Sequence, residues 1–192
     1  MKTKSSSSSS PSHTAPVMDA AAIDRALRRI AHEIIERNPD LDSVILAGIP
    51  SRGVAIAGRL ADIIHSLGHR PLRTGAIDVS MHRDDVGTRA ELPRVQASTL
   101  PLPLEGKTVI IVDDVLFTGR TVRAAMDAIS SFGRPARIQL AALIDRGHRE
   151  LPIRGDYVGK NLPTALPEQV RLRLKEVDGE ADAVWLIKEG TA

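Results

Sequence analysis

Cysteine is absent from the 192-residue chain. That excludes a disulfide scaffold, thiolate metal sites and cysteine nucleophiles. Aromatic residues make up only 2%, too few for a platform on which successive bases stack. No apolar run approaches the roughly 20 residues a helix needs to cross a bilayer. An excess of one charge sign is also missing: 26 basic against 24 acidic residues leave a formal +2. Any surface for nucleic acid therefore has to be a local patch. What is present is 42% apolar residue, enough for a core, and 26% charged residue, an ordinary soluble value. The length fits one domain, or one domain with a small appendage.

Residues 1–16 contain the run Ser5 to Ser10 and no apolar stripe. Such a segment cannot bury enough surface to offset its ordering entropy, so a disordered leader is expected there. Serines rather than an apolar stretch follow Lys2 and Lys4, so the start does not read as a secretory signal, and a cytoplasmic protein is the default. Residues 17–192 are expected to form a single domain.

Within that domain Asp19 is a helix cap, and Ile23, Leu27, Ile30 and Ile34 recur at helical spacing. Ser43 to Ala47 is a short apolar strand ending at Gly48. A helix is expected from Val54 to about Leu67, and a strand from Arg73 to Met81. Asp84 to Leu104 is polar, carries three prolines and has no periodicity; a loop of that length is often a functional lid. Val109-Ile110-Ile111-Val112 reads as a buried parallel strand, Asp113 to Arg120 as a turn, Thr121 to Phe132 as a helix and Ile138 to Ile144 as the next strand. Strand, helix and strand in succession imply a right-handed crossover. Ala183 to Ile187 supplies a late strand. The expected class is α/β: a mainly parallel twisted sheet with helices on both faces.

In such sheets ligands bind beyond the carboxyl ends of the strands. Asp113 and Asp114 stand where the central strand is expected to stop, and carboxylates taken from water need hydroxyls, a cation or water as partners. Thr118, Gly119, Arg120 and Thr121 then open a helix, where free N–H groups, hydroxyls and the helix dipole favour a phosphate. Acids beside a phosphate cradle suit a phosphorylated sugar. A bare Asp-Asp pair also reads as a solvent-facing acidic turn; the whole strand, acid pair and Thr-Gly-x-Thr order is more demanding. Gly48-Ile49-Pro50-Ser51-Arg52-Gly53 is a second strand-to-helix turn with small residues and a cation, read either as an anion site or as a plain turn.

The segment Val109 to Thr121 resembles the 5-phosphoribosyl-1-pyrophosphate (PRPP) motif of type I phosphoribosyltransferases. Arg28 to Asn38, His82 to Asp85 and Asp145 to Asn161 extend the likeness to the PyrR family, bifunctional pyrimidine operon regulators and uracil phosphoribosyltransferases. It runs from about Asp19 to the C-terminus. The resemblance implies a type I phosphoribosyltransferase fold with a small hood and a flexible loop. It implies that uracil and PRPP, with Mg²⁺, give UMP and diphosphate. Asp113 and Asp114 would contact the ribose hydroxyls and steady the transition state. Val109, Ile110, Ile111 and Val112 would belong to the substrate-binding segment, and Val115, Leu116, Phe117, Thr118, Gly119, Arg120 and Thr121 would hold the 5-phosphate. Ser51 and Arg52 would meet pyrophosphate, and Arg83 would clamp it from the closing loop. No residue is assigned directly to the metal, which PRPP would carry. Pro50 departs from the family's usual loop chemistry.

Two basic stretches remain. Arg25, Arg28, Arg29 and His32 lie opposite the apolar face of the first helix; Arg146, His148, Arg149, Arg154 and Lys160 form the second. On sequence alone these are either solvated faces or phosphate contacts. The resemblance implies a pyr leader mRNA surface drawing on Arg28, Arg29, His32, Arg37, Arg146, Arg154 and Lys160. It also implies control by UMP or UTP, transcription attenuation and a homo-oligomer. Transfer to another base, or nucleotide sensing with little catalysis, are the alternatives.

Overall fold

A computed structural model describes residues 15–79 and 98–188. The first strand, β1 (Met18–Asp19), runs into α1 (Ala20–Arg37), capped by Asp19, whose carboxylate accepts the Ala22 N–H at 2.7 Å. Ile23, Ala26, Leu27, Ile30, Ala31 and Ile34 form the buried stripe of α1, the face expected from the spacing. β2 (Val44–Gly48) is buried throughout and leads to α2 (Arg52–Ser66) and β3 (Arg73–Ala76). β4 (Thr108–Leu116), α3 (Arg120–Ser130) and β5 (Arg137–Asp145) form the next crossover. β6 (Tyr157–Asn161), β7 (Gln169–Arg173), the single turn α4 (Lys175–Asp178) and β8 (Ala183–Ile187) complete the chain.

Five strands pair in the order β3-β2-β4-β5-β6, all parallel. The fold class is therefore the expected one. Apolar residues alternate between the two faces, as a strand demands. Val44, Leu46, Ile110 and Val112 pack with α1 and α2; Ile45, Ala47, Val109 and Ile111 pack with α3. From β2 the chain crosses outward to β3, and from β4 it crosses the other way to β5. The gap between β2 and β4 is thus the switch point, where the loops after the two strands diverge and leave a crevice.

Several boundaries move. β4 runs through Asp113 and Asp114 to Leu116, so the acids lie inside the strand rather than in the turn after it. Pairing with β5 continues at Asp113 to Ala142, Val115 to Ile144 and Leu116 to Asp145, and this ladder outweighs the poor strand propensity of Asp. β3 ends at Ala76, where the chain bridges Thr99 instead. Ile77 to Val79 follow outside the strand, and the last two residues of the expected strand, Ser80 and Met81, lie outside the described residues, as does most of the candidate lid, including Arg83 to Asp85. The leader falls outside them too, save residues 15 and 16. The late strand β8 is real but does not join the parallel sheet. It pairs antiparallel with β1 and β7 in a separate three-stranded hood.

Candidate active site

The turn after β2 is pressed against β4. The Ile49 N–H donates to the Val112 carbonyl at 2.9 Å, and the Ile77 N–H donates to the Gly48 carbonyl at 3.0 Å. A Cβ on Gly53 would stand 2.3 Å from the Val112 oxygen, and one on Gly48 would stand 2.5 Å from the Val54 Cα. Only glycines allow this approach, and it brings the residue 48–53 turn to the carbonyl directly before Asp113. Ser51 is exposed and Arg52 half-buried, at the start of α2. Sequence spacing starts this helix at Val54; the structure places Arg52 already in its first turn.

Arg52 does not stand free. Its Nε and Nη2 donate to the two carboxylate oxygens of Asp178 in the hood, at 3.2 and 2.8 Å. Asp178 also accepts the Leu174 N–H at 2.8 Å. The Arg52 hydrogen bond holds the Asp178 carboxyl below its ordinary range, against an opposing effect of burial. Arg52 is raised in turn by that bond and by attraction to Asp178 and Asp114. Arg52 is thus the point where hood, turn and acid pair meet.

Asp113 is 6% exposed, and its carboxylate accepts the Asp114 N–H at 2.9 Å. The Asp114 carboxylate accepts the Val115 N–H at 2.8 Å. One correction concerns Val109, Ile110, Ile111 and Val112, expected among the substrate-binding residues. Their side chains are fully buried in the two cores, so they anchor the acids and offer a ligand no surface.

Beyond Leu116 the chain turns through Phe117 and Thr118 to Gly119, whose φ of 93° is a left-handed conformation suited to glycine. Gly119 caps α3 without a side-chain bond, and the first turn of α3 holds no acid. Its N-terminal peptide groups thus suit an anion. The segment after β5 folds over this turn. The Thr118 carbonyl accepts the N–H groups of Glu150 and Leu151 at 3.0 and 3.2 Å, and Arg120 pairs with Glu150 at 2.7 Å. A Cβ on Gly119 would stand 3.4 to 3.5 Å from the side chains of Ile153 and Leu151, an ordinary contact distance.

The basic residues divide. Arg28, Arg29, His32 and Arg37 are exposed on α1. Arg29 reaches the carbonyls of Val158 and Gly159, next to exposed Lys160. Arg37 lies 5.2 Å from the Tyr157 ring centre and donates to the Asp156 carbonyl at 2.9 Å. α1 and β6 therefore share one basic face; Arg154, before β6, is exposed as well. Arg146 departs from the expectation. It is 7% exposed, sits 4.1 Å over the Phe117 ring, and donates to Thr164 Oγ1 and the Ala165 carbonyl at 3.0 and 3.1 Å. Burial lowers its pKa. The structure sets Arg146 against Phe117, beside the Phe117–Gly119 turn, rather than on the exposed face.

Sequence reading missed Asp178 altogether and gave Arg149 no site role. The Arg52 to Asp178 pair spans 126 positions, and no local pattern announces such a contact. A polar surface cleft of ≈ 370 Å³ near Asn38 and Arg70 lies at the opposite, amino-terminal edge of the sheet, away from this chemistry. No helix among the described residues is long and apolar enough to cross a membrane.

Comparison with known proteins agrees with this geometry. Residues 14–171 match the phosphoribosyl transferase domain family. The chain is 57% identical over 170 residues to the bifunctional protein PyrR of Chloroflexus aurantiacus, covering 88% of this chain and 93% of that one. Against the bifunctional protein PyrR of Bacillus pumilus it is 54% identical over 166 residues, covering 85% and 92%. Among solved structures, a hypoxanthine phosphoribosyltransferase from Staphylococcus aureus superposes with a TM-score of 0.70 at 20% identity, covering 91% of each chain. The Trypanosoma cruzi hypoxanthine phosphoribosyltransferase bound to its product IMP gives 0.66 at 18% identity, covering 90% of this chain and 89% of that one. At such identities these two likenesses speak for the fold alone.

Proposed function

Since the chain belongs to the PyrR family and has the type I phosphoribosyltransferase fold, we propose that it works as those bifunctional proteins do. It transfers the phosphoribosyl group of PRPP to uracil, and it regulates pyrimidine synthesis by binding pyr leader mRNA when UMP or UTP fills the same pocket. A bond forms between uracil N1 and ribose C1, the C1–oxygen bond breaks, diphosphate leaves and the N1 proton is lost. The observation that carries this reading is the crevice itself, where two anion-type turns flank an acid pair at the switch point of the sheet.

The roles follow from position. Asp113 and Asp114 receive the ribose hydroxyls, and their charge steadies the positive character that develops at C1 as diphosphate departs. Val115 to Thr121 hold the 5-phosphate through the turn and the start of α3. Ser51 and Arg52 meet the diphosphate, with Arg83 reaching it from the loop outside the described residues.

Mg²⁺ fits this donor set as a substrate-borne ion. Among the described residues no three His, Asp or Glu side chains gather to hold a metal. A magnesium ion bound through one or two carboxylates and the substrate's own phosphates is the usual arrangement in such sites. Asp113 and Asp114 are the carboxylates that would hold such an ion, and it would supply charge neutralisation on the leaving diphosphate.

For RNA, the exposed group Arg28, Arg29, His32, Arg37, Arg154 and Lys160 neutralises phosphates. With so few aromatic rings, contacts are to phosphate and 2′-hydroxyl groups rather than stacked bases. The protein acts in the cytoplasm, as one domain over residues 17–192 and as a homo-oligomer. The direct test is to mix protein, Mg²⁺, PRPP and a panel of bases. UMP formed from uracil, with no nucleotide from hypoxanthine or orotate, is the expected result. A purine nucleotide would move the assignment to another base. A gel shift with pyr leader RNA, with and without UMP, tests the second role; no complex at low salt in either condition would remove it.

A further inference from the structure

The segment that follows β5 carries more than a basic surface. Arg149 is turned inward, its side chain 22% exposed, and its guanidinium bridges the turn after β4 and the segment after β5. Nε donates to the Ile153 carbonyl at 3.0 Å. Nη1 donates to the Phe117 carbonyl at 2.6 Å, with the Gly147 and Leu116 carbonyls at 3.2 and 3.4 Å. Nη2 is paired with the Asp145 carboxylate. A planar fork with five donors can bridge several carbonyls at once; a lysine ammonium has neither the reach nor the directions.

The consequence lies in the peptide planes. In a trans peptide the carbonyl and the following N–H point in opposite directions. The Leu116 carbonyl is held by the Arg146 N–H at 3.1 Å and approached by Arg149; the Phe117 carbonyl is held by Arg149; the Thr118 carbonyl is held by Glu150 and Leu151. Three successive carbonyls are thus drawn to one side by residues 146–151. Their partner N–H groups, on Phe117, Thr118 and Gly119, are turned to the other. Successive N–H groups presented together make an anion-binding concavity.

We infer that Arg149 is a positioning residue for the phosphate of the bound nucleotide. It sets the direction of the peptide groups in the Phe117–Gly119 turn. The inference rests on the proposed reading of this turn as the 5-phosphate site and deepens it, by naming what orders the turn. Asp145 orients Arg149 from the end of β5.

The test compares a ligand with the phosphate to one without it. UMP and uridine are titrated into the full-length protein and into Arg149→Gln, Arg149→Lys and Asp145→Asn, with melting temperatures taken alongside. Arg149→Gln is expected to weaken UMP about tenfold, the scale of one lost charge-assisted bond network, and to leave uridine unchanged. KM for PRPP rises more than kcat falls. Arg149→Lys recovers only part of the loss, and Asp145→Asn, which spares the guanidinium, shows a smaller loss in the same direction. Equal weakening of UMP and uridine would reduce Arg149 to a general structural role and overturn the inference. So would unchanged UMP affinity in all three variants. If the unaltered protein binds no UMP, the proposed function fails first, and the clamp with it; binding that is intact and insensitive to Arg149 overturns the clamp alone.

Discussion

The turn at residues 48–53 is fitted to its neighbour by glycine: Gly53 approaches the Val112 carbonyl so closely that a methyl group has no room. Its cation is then held from outside, by a carboxylate of the hood 126 residues away. At residues 115–121 the emphasis is reversed. Gly119 has space for a Cβ at ordinary contact distance, and what it supplies is a left-handed φ of 93°. The turn is held by backbone and guanidinium bonds from the segment directly after the next strand. Two turns suited to the same kind of ligand group are thus secured differently, one by steric fit and a remote ion pair, the other by backbone conformation and a local clamp. The first couples the site to the hood; the second couples it to the end of β5.

Replacing both acids between the turns has the largest expected effect. Asp113→Asn with Asp114→Asn is expected to lower phosphoribosyl transfer on the order of a thousandfold, the scale of lost charge stabilisation in a transition state. Melting and circular dichroism should show the fold retained, because the strand is held by its ladder and two apolar cores. Full activity in this variant would remove the acids from the chemistry.

The glycines come next. Gly53→Ala meets backbone on the facing strand and is expected to destabilise by about 3 kcal/mol, at the upper end of overpacking costs. Gly119→Ala meets only side chains and is expected to lose about 1–2 kcal/mol to the left-handed conformation. Denaturant midpoints check the order. A reversed order would mean that steric fit does not distinguish the turns.

A smaller effect is expected from the hood. Asp178→Asn should raise KM for PRPP several-fold and weaken the hood's hold on α2. The acid response follows from the same pair. Asp178, Glu176 and Asp182 have folded pKa values lowered chiefly by hydrogen bonds from Arg52 or Arg59. Their stabilisation is complete above the ordinary carboxylate range, near pH 4, and is lost as pH falls through the lowered values. Proteolysis or hydrogen exchange between pH 5 and 3 should find β7 and β8 opening before the parallel sheet. Simultaneous opening would show that these ion pairs do not set the hood's stability.

The smallest structural effect is expected at Arg28, exposed and paired with Asp24 one helical turn away. Arg28→Ala should leave the melting temperature unchanged and weaken pyr leader RNA several-fold, with a shallower salt dependence. A change in PRPP kinetics without a change in RNA affinity would contradict the separation of the two surfaces.

The sheet was legible because its evidence is periodic and local. The stripe Ile23, Leu27, Ile30 and Ile34 and the run Val109 to Val112 each announce their element within a few residues. The acids and the Thr-Gly-x-Thr turn were legible as a motif, though the ladder to β5 carries the strand further than its composition suggests. The hood was not localised, because β7 and β8 are short and β8 completes its pairing with β1 at the far end of the chain. The braces were hidden for the same reason. Arg149 reads as one more cation in a basic stretch until the carbonyls of Leu116 and Phe117 are brought beneath it, and Arg146 reads as exposed until Phe117 covers it.

A crystal structure with PRPP and Mg²⁺, under conditions that prevent turnover, tests the crevice most directly. The 5-phosphate is expected against the N–H groups of Phe117 to Gly119 and the start of α3, the ribose hydroxyls on Asp113 and Asp114, and the diphosphate beside Ser51 and Arg52. A ligand bound elsewhere, or one whose phosphate avoids the Gly119 turn while the protein remains active, would contradict it.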